Sequence, residues 1–224
     1  MTGYYASRLS ANRLRRCYEI APPRVQQYLK AEIDHVLSRL NPGDMVLELG
    51  CGYGRALEFI APAVNSVVGI DSSESSLFLA QTVVDRLKNC YVLCMDAVHL
   101  AFGPREFDSV VCIQNGISAF QVDQRALIRE ALRVTRPGGK VLFSTYSDKF
   151  WEDRLAWFRL QAEEGLIGPI DEERTGNGTI VCTDGFVSAT VDEAAFRRFA
   201  EVLEVEAQIT EVDESSLFCE LAPR

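Results

Sequence analysis

The residues Val46-Leu47-Glu48-Leu49-Gly50-Cys51-Gly52-Tyr53-Gly54-Arg55-Ala56 decide how the chain is read. A short apolar run ends in G-x-G-x-G, and a helical pattern follows it. Glycines at alternate positions permit a sharp turn and let backbone approach a ligand with no Cβ in the way. A strand, a glycine turn and a helix start offer free N–H groups at the carboxyl edge of an open α/β sheet, where such sheets bind ligands. The same residues also suit a glycine-rich connection with no ligand, so the neighbouring segments must separate the two.

Two acids stand where a ligand-binding edge needs them. The run Val67-Val68-Gly69-Ile70-Asp71 ends in a carboxylate 21 residues after Gly50. That spacing suits acceptance of two hydrogen bonds from ribose hydroxyls. Its plainer role is to cap the helix that begins Ser72-Ser73-Glu74. The run Leu93-Cys94-Met95-Asp96-Ala97 ends in a second carboxylate, placed to accept from an adenine amino group while the next N–H donates to the ring. Alternatively Asp96 forms a turn before Val98-His99-Leu100.

The strand candidates are Met45–Leu49, Ser66–Ile70, Tyr91–Met95, Phe107–Ile113 and Lys140–Tyr146, short apolar runs of the kind buried on both faces. Helical patterns fall at 24–40, 55–62, 73–88 and 123–135, the first stopped by Asn41-Pro42-Gly43. This alternation predicts an α/β, doubly wound, mostly parallel seven-stranded sheet with right-handed crossovers. Beyond Tyr146 the rhythm changes. A helix is expected over 149–164. Thr179–Thr183 and Phe186–Thr190 flank Asp184-Gly185, a type I′ signal for a small inserted β-hairpin near 179–190. Thr190-Val191-Asp192-Glu193 reads as a capping box opening a helix through Leu203. Strands over 204–211 and 215–222, joined by Val212-Asp213-Glu214, must be antiparallel and give the sheet a C-terminal hairpin. The organisation expected is one domain over 1–224: an N-terminal helical cover (1–40), a ligand-binding core (41–146), a helix and hairpin insertion (147–191), and the last helix with the terminal strands (192–224).

Composition bounds the function. The chain has 224 residues, 47% hydrophobic and 25% charged, with Lys+Arg 23 against Asp+Glu 32 for a net charge of −9. That balance argues against an extended nucleic-acid face. Charge is uneven, with seven basic and three acidic side chains in 1–40. No apolar run reaches the ~18 residues of a membrane span, and the first residues lack the apolar block of a secretion signal. A cytoplasmic protein with no membrane partner is the expectation. Seven cysteines without a C-x-x-C pair, and only two histidines, argue against a metal site and against a disulfide framework.

Taken in order, these segments resemble the class I (Rossmann-like) S-adenosylmethionine-dependent methyltransferases. Glu48-Leu49-Gly50-Cys51-Gly52-Tyr53-Gly54 is similar to that family's first motif, and Gly69-Ile70-Asp71 to its second. Asp96-Ala97-Val98-His99-Leu100-Ala101-Phe102 resembles its D-A-x-x-L-x-F segment, Phe107–Val111 its fourth strand, and Glu130–Lys140 the turn before strand five. The likeness is continuous over about 44–146 and topological only over 192–222. It implies S-adenosyl-L-methionine as cofactor, with S-adenosyl-L-homocysteine as product. Gly50, Cys51, Gly52 and Gly54 would line its methionine and ribose part, and Glu48 would help hold the methionine amino group. Asp71 with Ser72 would take the ribose, Asp96 with Ala97 the adenine, and Gln114 would lie beside the sulfonium.

Methyl transfer is an in-line displacement driven mainly by positioning and desolvation, so the lack of an obvious catalytic dyad fits it. Asn115, in the loop after strand four, is a candidate to orient the acceptor, or else a cap for the next turn. Tyr5 is the candidate from the N-terminal cover; Tyr4, Arg24, Tyr146 and His99 are weaker ones. Trp151, Trp157 and Phe158 read as the apolar face of a helix. Short covering segments and the acidic balance favour a small-molecule acceptor, of undetermined target atom, on a monomer or homodimer. A non-catalytic cofactor-binding protein and an NAD(P)-dependent oxidoreductase are the competing readings, the latter weakened by the G-x-G-x-G spacing and the terminal hairpin.

Overall fold

The computed structural model describes residues 3–223, the side chain of Ala6 excepted. Helices α1 (Tyr4–Ser7), α2 (Ala11–Glu19) and α3 (Pro23–Arg39) precede β1 (Met45–Leu49). Then follow α4 (Leu57–Ile60), β2 (Ser66–Asp71), α5 (Glu74–Val84), β3 (Cys90–Cys94) and β4 (Phe107–Cys112). The second half holds α6 (Gly116–Ala119), α7 (Gln124–Val134), β5 (Thr135–Tyr146) and α8 (Trp151–Glu163). It closes with β6 (Ile180–Val181), β7 (Val187–Ser188), α9 (Glu193–Val202), β8 (Glu206–Val212) and β9 (Ser216–Ala222).

Seven strands form one sheet in the order β3-β2-β1-β4-β5-β9-β8. β3 through β5 run parallel, while β9 is antiparallel to both β5 and β8. β6 and β7 form a separate antiparallel pair. The fold is therefore the expected α/β sheet with a C-terminal antiparallel hairpin and a small inserted one. Alternate side chains divide between two buried layers. Val46, Val67, Val111 and Leu142 pack with Ile33, Val36, Leu57 and Ile60 on one face. Leu47, Ile70, Val110 and Phe143 pack with Leu127, Ala131, Phe196 and Ala200 on the other. A third apolar layer joins the N-terminal helices, α8 and the small hairpin through Leu9, Tyr28, Phe150, Trp157, Phe158 and Phe186. Among the described residues, no helix is long and apolar enough to cross a membrane.

Several local details differ from expectation. The helix expected over 55–62 shrinks to α4 because Gly52 and Gly54, at φ +55° and +87°, extend the turn to Ala56. The hairpin over 179–190 pairs only two residues on each side. Of its central pair only Gly185 has positive φ (+96°), so the turn is not type I′, which needs both residues there. That geometry occurs instead at Asp213 (φ +55°) and Glu214 (φ +51°), between β8 and β9, closed by Ser215 N–H to the Val212 carbonyl at 3.1 Å. Asp213 is held there by Arg24 and Gln27 at 2.6 Å each. The N-cap of α9 is Asp192, which accepts from Ala195 N at 2.6 Å, and not Thr190. An Asp two residues nearer the helix makes the shorter reach to a first-turn N–H.

Candidate cofactor and acceptor cavity

β1 and β4 are neighbours from which the strand order runs outward in opposite directions, so their carboxyl ends part and leave a crevice. A cavity of about 400 Å³ opens there. On one side it is lined by Gly50, Gly52, Asp71, Ser72, Asp96 and Ala97. Gln114 also lines it, as do Tyr5, Tyr18, Tyr146, Trp157, Phe158 and Gln161.

The glycine turn is tied to the second strand by its own backbone. Gly50 N and Cys51 N both donate to the Ile70 carbonyl, at 2.8 and 2.9 Å. Gly50 has φ +75°, and a Cβ there would stand 2.5 Å from the Phe120 ring, which lines the same cavity. Asp71 accepts from Gly52 N at 2.9 Å and from Ser73 N at 2.8 Å. It therefore shapes the turn as well as facing the cavity, and burial raises its carboxyl above its ordinary value. Asp96 accepts from Val98 N at 3.0 Å, which leaves its second oxygen toward His99 at 3.3 Å.

Glu48 lies beneath the turn, 4% exposed, in a side pocket with Tyr53, Arg55 and Gln114. Its Oε2 has no hydrogen-bond partner among the described residues, and burial pushes its carboxyl up to about 8. Gln114 sits between Tyr18 and Arg55. With its amide oxygen toward Arg55 (Nε at 3.0 Å), its nitrogen donates to the Tyr18 hydroxyl at 2.5 Å. Its backbone N donates to Ser144 Oγ at 2.9 Å, and Ser144 Oγ in turn donates to Glu32 Oε1 at 2.6 Å. Burial pushes Glu32 up to about 7.

These residues suit an adenosine-bearing amino acid. Glycine backbone leaves room against Phe120, two carboxylates face the cavity from adjacent strand ends, and an unsatisfied buried carboxyl oxygen waits under the turn for a donor such as an ammonium group. Gly54 and Cys51 stand apart from the main cavity. Gly54 lets the turn approach α5, where a Cβ would meet Ala80 and Val83 at 3.4 and 3.5 Å. Cys51 is buried in the layer beneath the sheet and reaches only the side pocket.

Of the acceptor candidates, Tyr5 and Tyr146 line the cavity. Asn115 does not. At φ +60° its amide is engaged on both sides, donating to the Ala189 carbonyl and accepting from Thr145 Oγ1, each at 2.9 Å. The helix-cap alternative does not describe it either, since its side chain makes no cap bond to α6. Tyr4 donates to Asp184 at 2.5 Å, Arg24 pairs with Asp213, and His99 points to solvent with 82% of its side chain exposed. Sequence reading missed Tyr18, Phe120 and Gln161 altogether; only the Trp157–Phe158–Gln161 spacing, one face of α8, held a signal for the last.

Residues 46–139 match a family model described as methyltransferase domain. The chain is 33% identical over 145 residues to the malonyl-[acyl-carrier protein] O-methyltransferase of Marinomonas sp., covering 61% of this chain and 52% of that protein. It is 35% identical over 108 residues to the demethylmenaquinone methyltransferase of Corynebacterium urealyticum, covering 48% and 44%. The chain thus spans about half the length of the curated relatives it matches. A SAM-dependent methyltransferase from Aquifex aeolicus superposes with TM-score 0.63 at 17% identity, over 92% of this chain and 96% of that one, which shows the shared fold. These matches displace the nicotinamide reading. The segment that builds the cradle is thus similar to the methyltransferase domain, and the chain shares the fold of S-adenosyl-L-methionine-dependent methyltransferases.

Proposed function

We propose that the protein transfers a methyl group from S-adenosyl-L-methionine to a small-molecule acceptor. The observation that carries this reading is the continuity of the cavity. The residues suited to the cofactor, Gln114 and an aromatic wall all line one cavity. When bound, the cofactor supplies an electrophilic methyl group on a sulfonium. Asp71 and Asp96 would hold its ribose and adenine, and Glu48 its ammonium end. Gln114, fixed by Tyr18, Arg55 and Ser144, limits how far the acceptor approaches. The apolar wall excludes water, so rate would come from alignment in a dry site.

The size of the enclosure supports a small acceptor, as does likeness to a relative named for demethylmenaquinone; the relative named for a carrier-protein substrate widens the range to a group presented on an arm. A metabolite screen that follows S-adenosylhomocysteine formation tests the reading. Turnover on one or more small acceptors is expected. Tight cofactor binding with turnover on none would favour a cofactor-binding protein without catalysis.

A further inference from the structure

The far half of the cavity is the work of one helix stripe. Arg154, Trp157, Phe158 and Gln161 follow the spacing that places side chains on one side of α8. Trp157, Phe158 and Gln161 line the cavity. Gln161 is 3% exposed as a residue and stands among the cavity's lining residues. An amide in that position can hydrogen-bond a ligand in the cavity.

Arg154 stands directly behind the wall, 1% exposed, with its guanidinium 4.2 Å from the centre of the Tyr146 ring and 5.5 Å from that of Phe158. It donates to the Gly178 carbonyl at 3.0 Å and to Ser188 O and Oγ at 2.7 and 2.8 Å. Its Nε has no partner among the described residues, and the oxygens it donates to there are all uncharged. On the opposite side Arg55 lies 5.2 Å from the Tyr18 ring. Burial raises the carboxyls of the nearby acids on α3 and β1, Glu32 to about 7 and Glu48 to about 8. A wall one aromatic ring thick therefore separates the far half of the cavity from a guanidinium with no paired carboxylate among the described residues, while Asp71 and Asp96 line the cofactor half; a buried charge of this kind is less screened than one in water.

The wall also lacks a base. Burial pushes the Tyr146 hydroxyl and the Cys17 thiol up to about 12 and the Tyr5 and Tyr18 hydroxyls well above their ordinary value. His35 stacks on Phe218 away from the cavity, and His99 is exposed.

Building on the methyl-transfer reading, we propose that this half binds a flat apolar acceptor with an acidic hydroxyl, of the phenol or enol class, as its oxyanion, with Arg154 supplying the field and Gln161 a hydrogen bond. The hydroxyl proton passes to bulk water as the acceptor binds. The oxygen's electron pair then forms the bond to the methyl carbon, the carbon–sulfur bond breaks with its pair retained on sulfur, and two neutral products result. An aromatic wall alone would also suit an ammonium group, but the two nearby guanidinium ions, Arg154 and Arg55, oppose one.

The test uses the full chain saturated with S-adenosylhomocysteine and 4-nitrophenol, whose ionised form is read by absorbance. The bound phenol should ionise about one pH unit or more below the free one, a tenfold preference for the anion. Arg154→Met should return that midpoint to the free value or above it. Gln161→Leu should weaken the phenol at least about fivefold and leave S-adenosylhomocysteine affinity unchanged. Should Arg154→Met not fold, the wild-type midpoint and the contrast with 4-methoxybenzylamine decide. A midpoint at or above that of the free phenol, tighter binding of the amine, or no phenol binding at millimolar concentration would each overturn the proposal. Calorimetry with S-adenosylhomocysteine alone separates the two levels: no binding defeats the methyl-transfer reading, whereas binding without the shifted midpoint defeats only this one.

Discussion

The two halves of the cavity are built by different means. On the cofactor side, strand ends and a glycine turn place backbone groups: Asp71 ends β2, and Gly50 and Asp96 lie just past the ends of the neighbouring β1 and β3. On the acceptor side, side chains from α1, α2, β5 and α8 meet although they lie far apart in sequence. Trp157 Nε1 donates to the Cys17 carbonyl at 2.9 Å, and Arg13 reaches the Gly165 and Leu166 carbonyls at 2.7 Å each. The first half depends on backbone conformation, which few residues can meet; the second depends on packing, which many combinations meet.

The largest effect expected on this comparison comes from Gly50→Val. A β-branched residue at φ +75°, with its Cβ driven at Phe120, should weaken S-adenosylhomocysteine binding at least about a hundredfold in calorimetry. Preserved affinity in folded protein would show that the cradle is not where the ligand sits. Asn115→Ala should do the opposite. It removes two buried hydrogen bonds and places alanine at φ +60°, so unfolding free energy should fall by about 2–4 kcal/mol while cofactor affinity holds. An acceptor KM effect with no loss of stability would restore its role as an orienting residue.

Glu32 lies between the halves. Its carboxyl rises from the ordinary 4.5 to about 7 in the folded protein, so folding favours the protonated form. Stability should be greatest below about pH 4.5 as far as this group is concerned, and should be lost as pH rises toward 7. Denaturant midpoints for Glu32→Gln should be flatter over that window than for wild type. Identical slopes would mean that the group titrates normally. The smallest effect expected is that of Tyr18→Phe. Loss of one hydrogen bond to Gln114 should weaken S-adenosylhomocysteine about threefold to tenfold, and no change would remove Gln114 from the cofactor's surroundings.

The same contrast governs what the sequence revealed. The strand–glycine–acid pattern was readable because each position demands a residue type: positive φ at Gly50, a carboxylate at the end of β2. Trp157 and Phe158 instead look like any apolar helix face until α2 is seen packed against them. Asn115 looked like a polar group at the methyl site, and only the approach of Ala189, 74 residues on, shows where its amide goes. Asp213-Glu214 lacked the glycine or asparagine usual in its turn, because Arg24 and Gln27 hold it from another helix.

The most direct test of the central claim is titration of S-adenosylhomocysteine into wild-type protein and Asp71→Ala by calorimetry. The account predicts one site per chain in the wild type and affinity reduced well over tenfold in the variant, with the melting transition still cooperative. Equal affinity in the two proteins, or no heat from folded wild type, would contradict it.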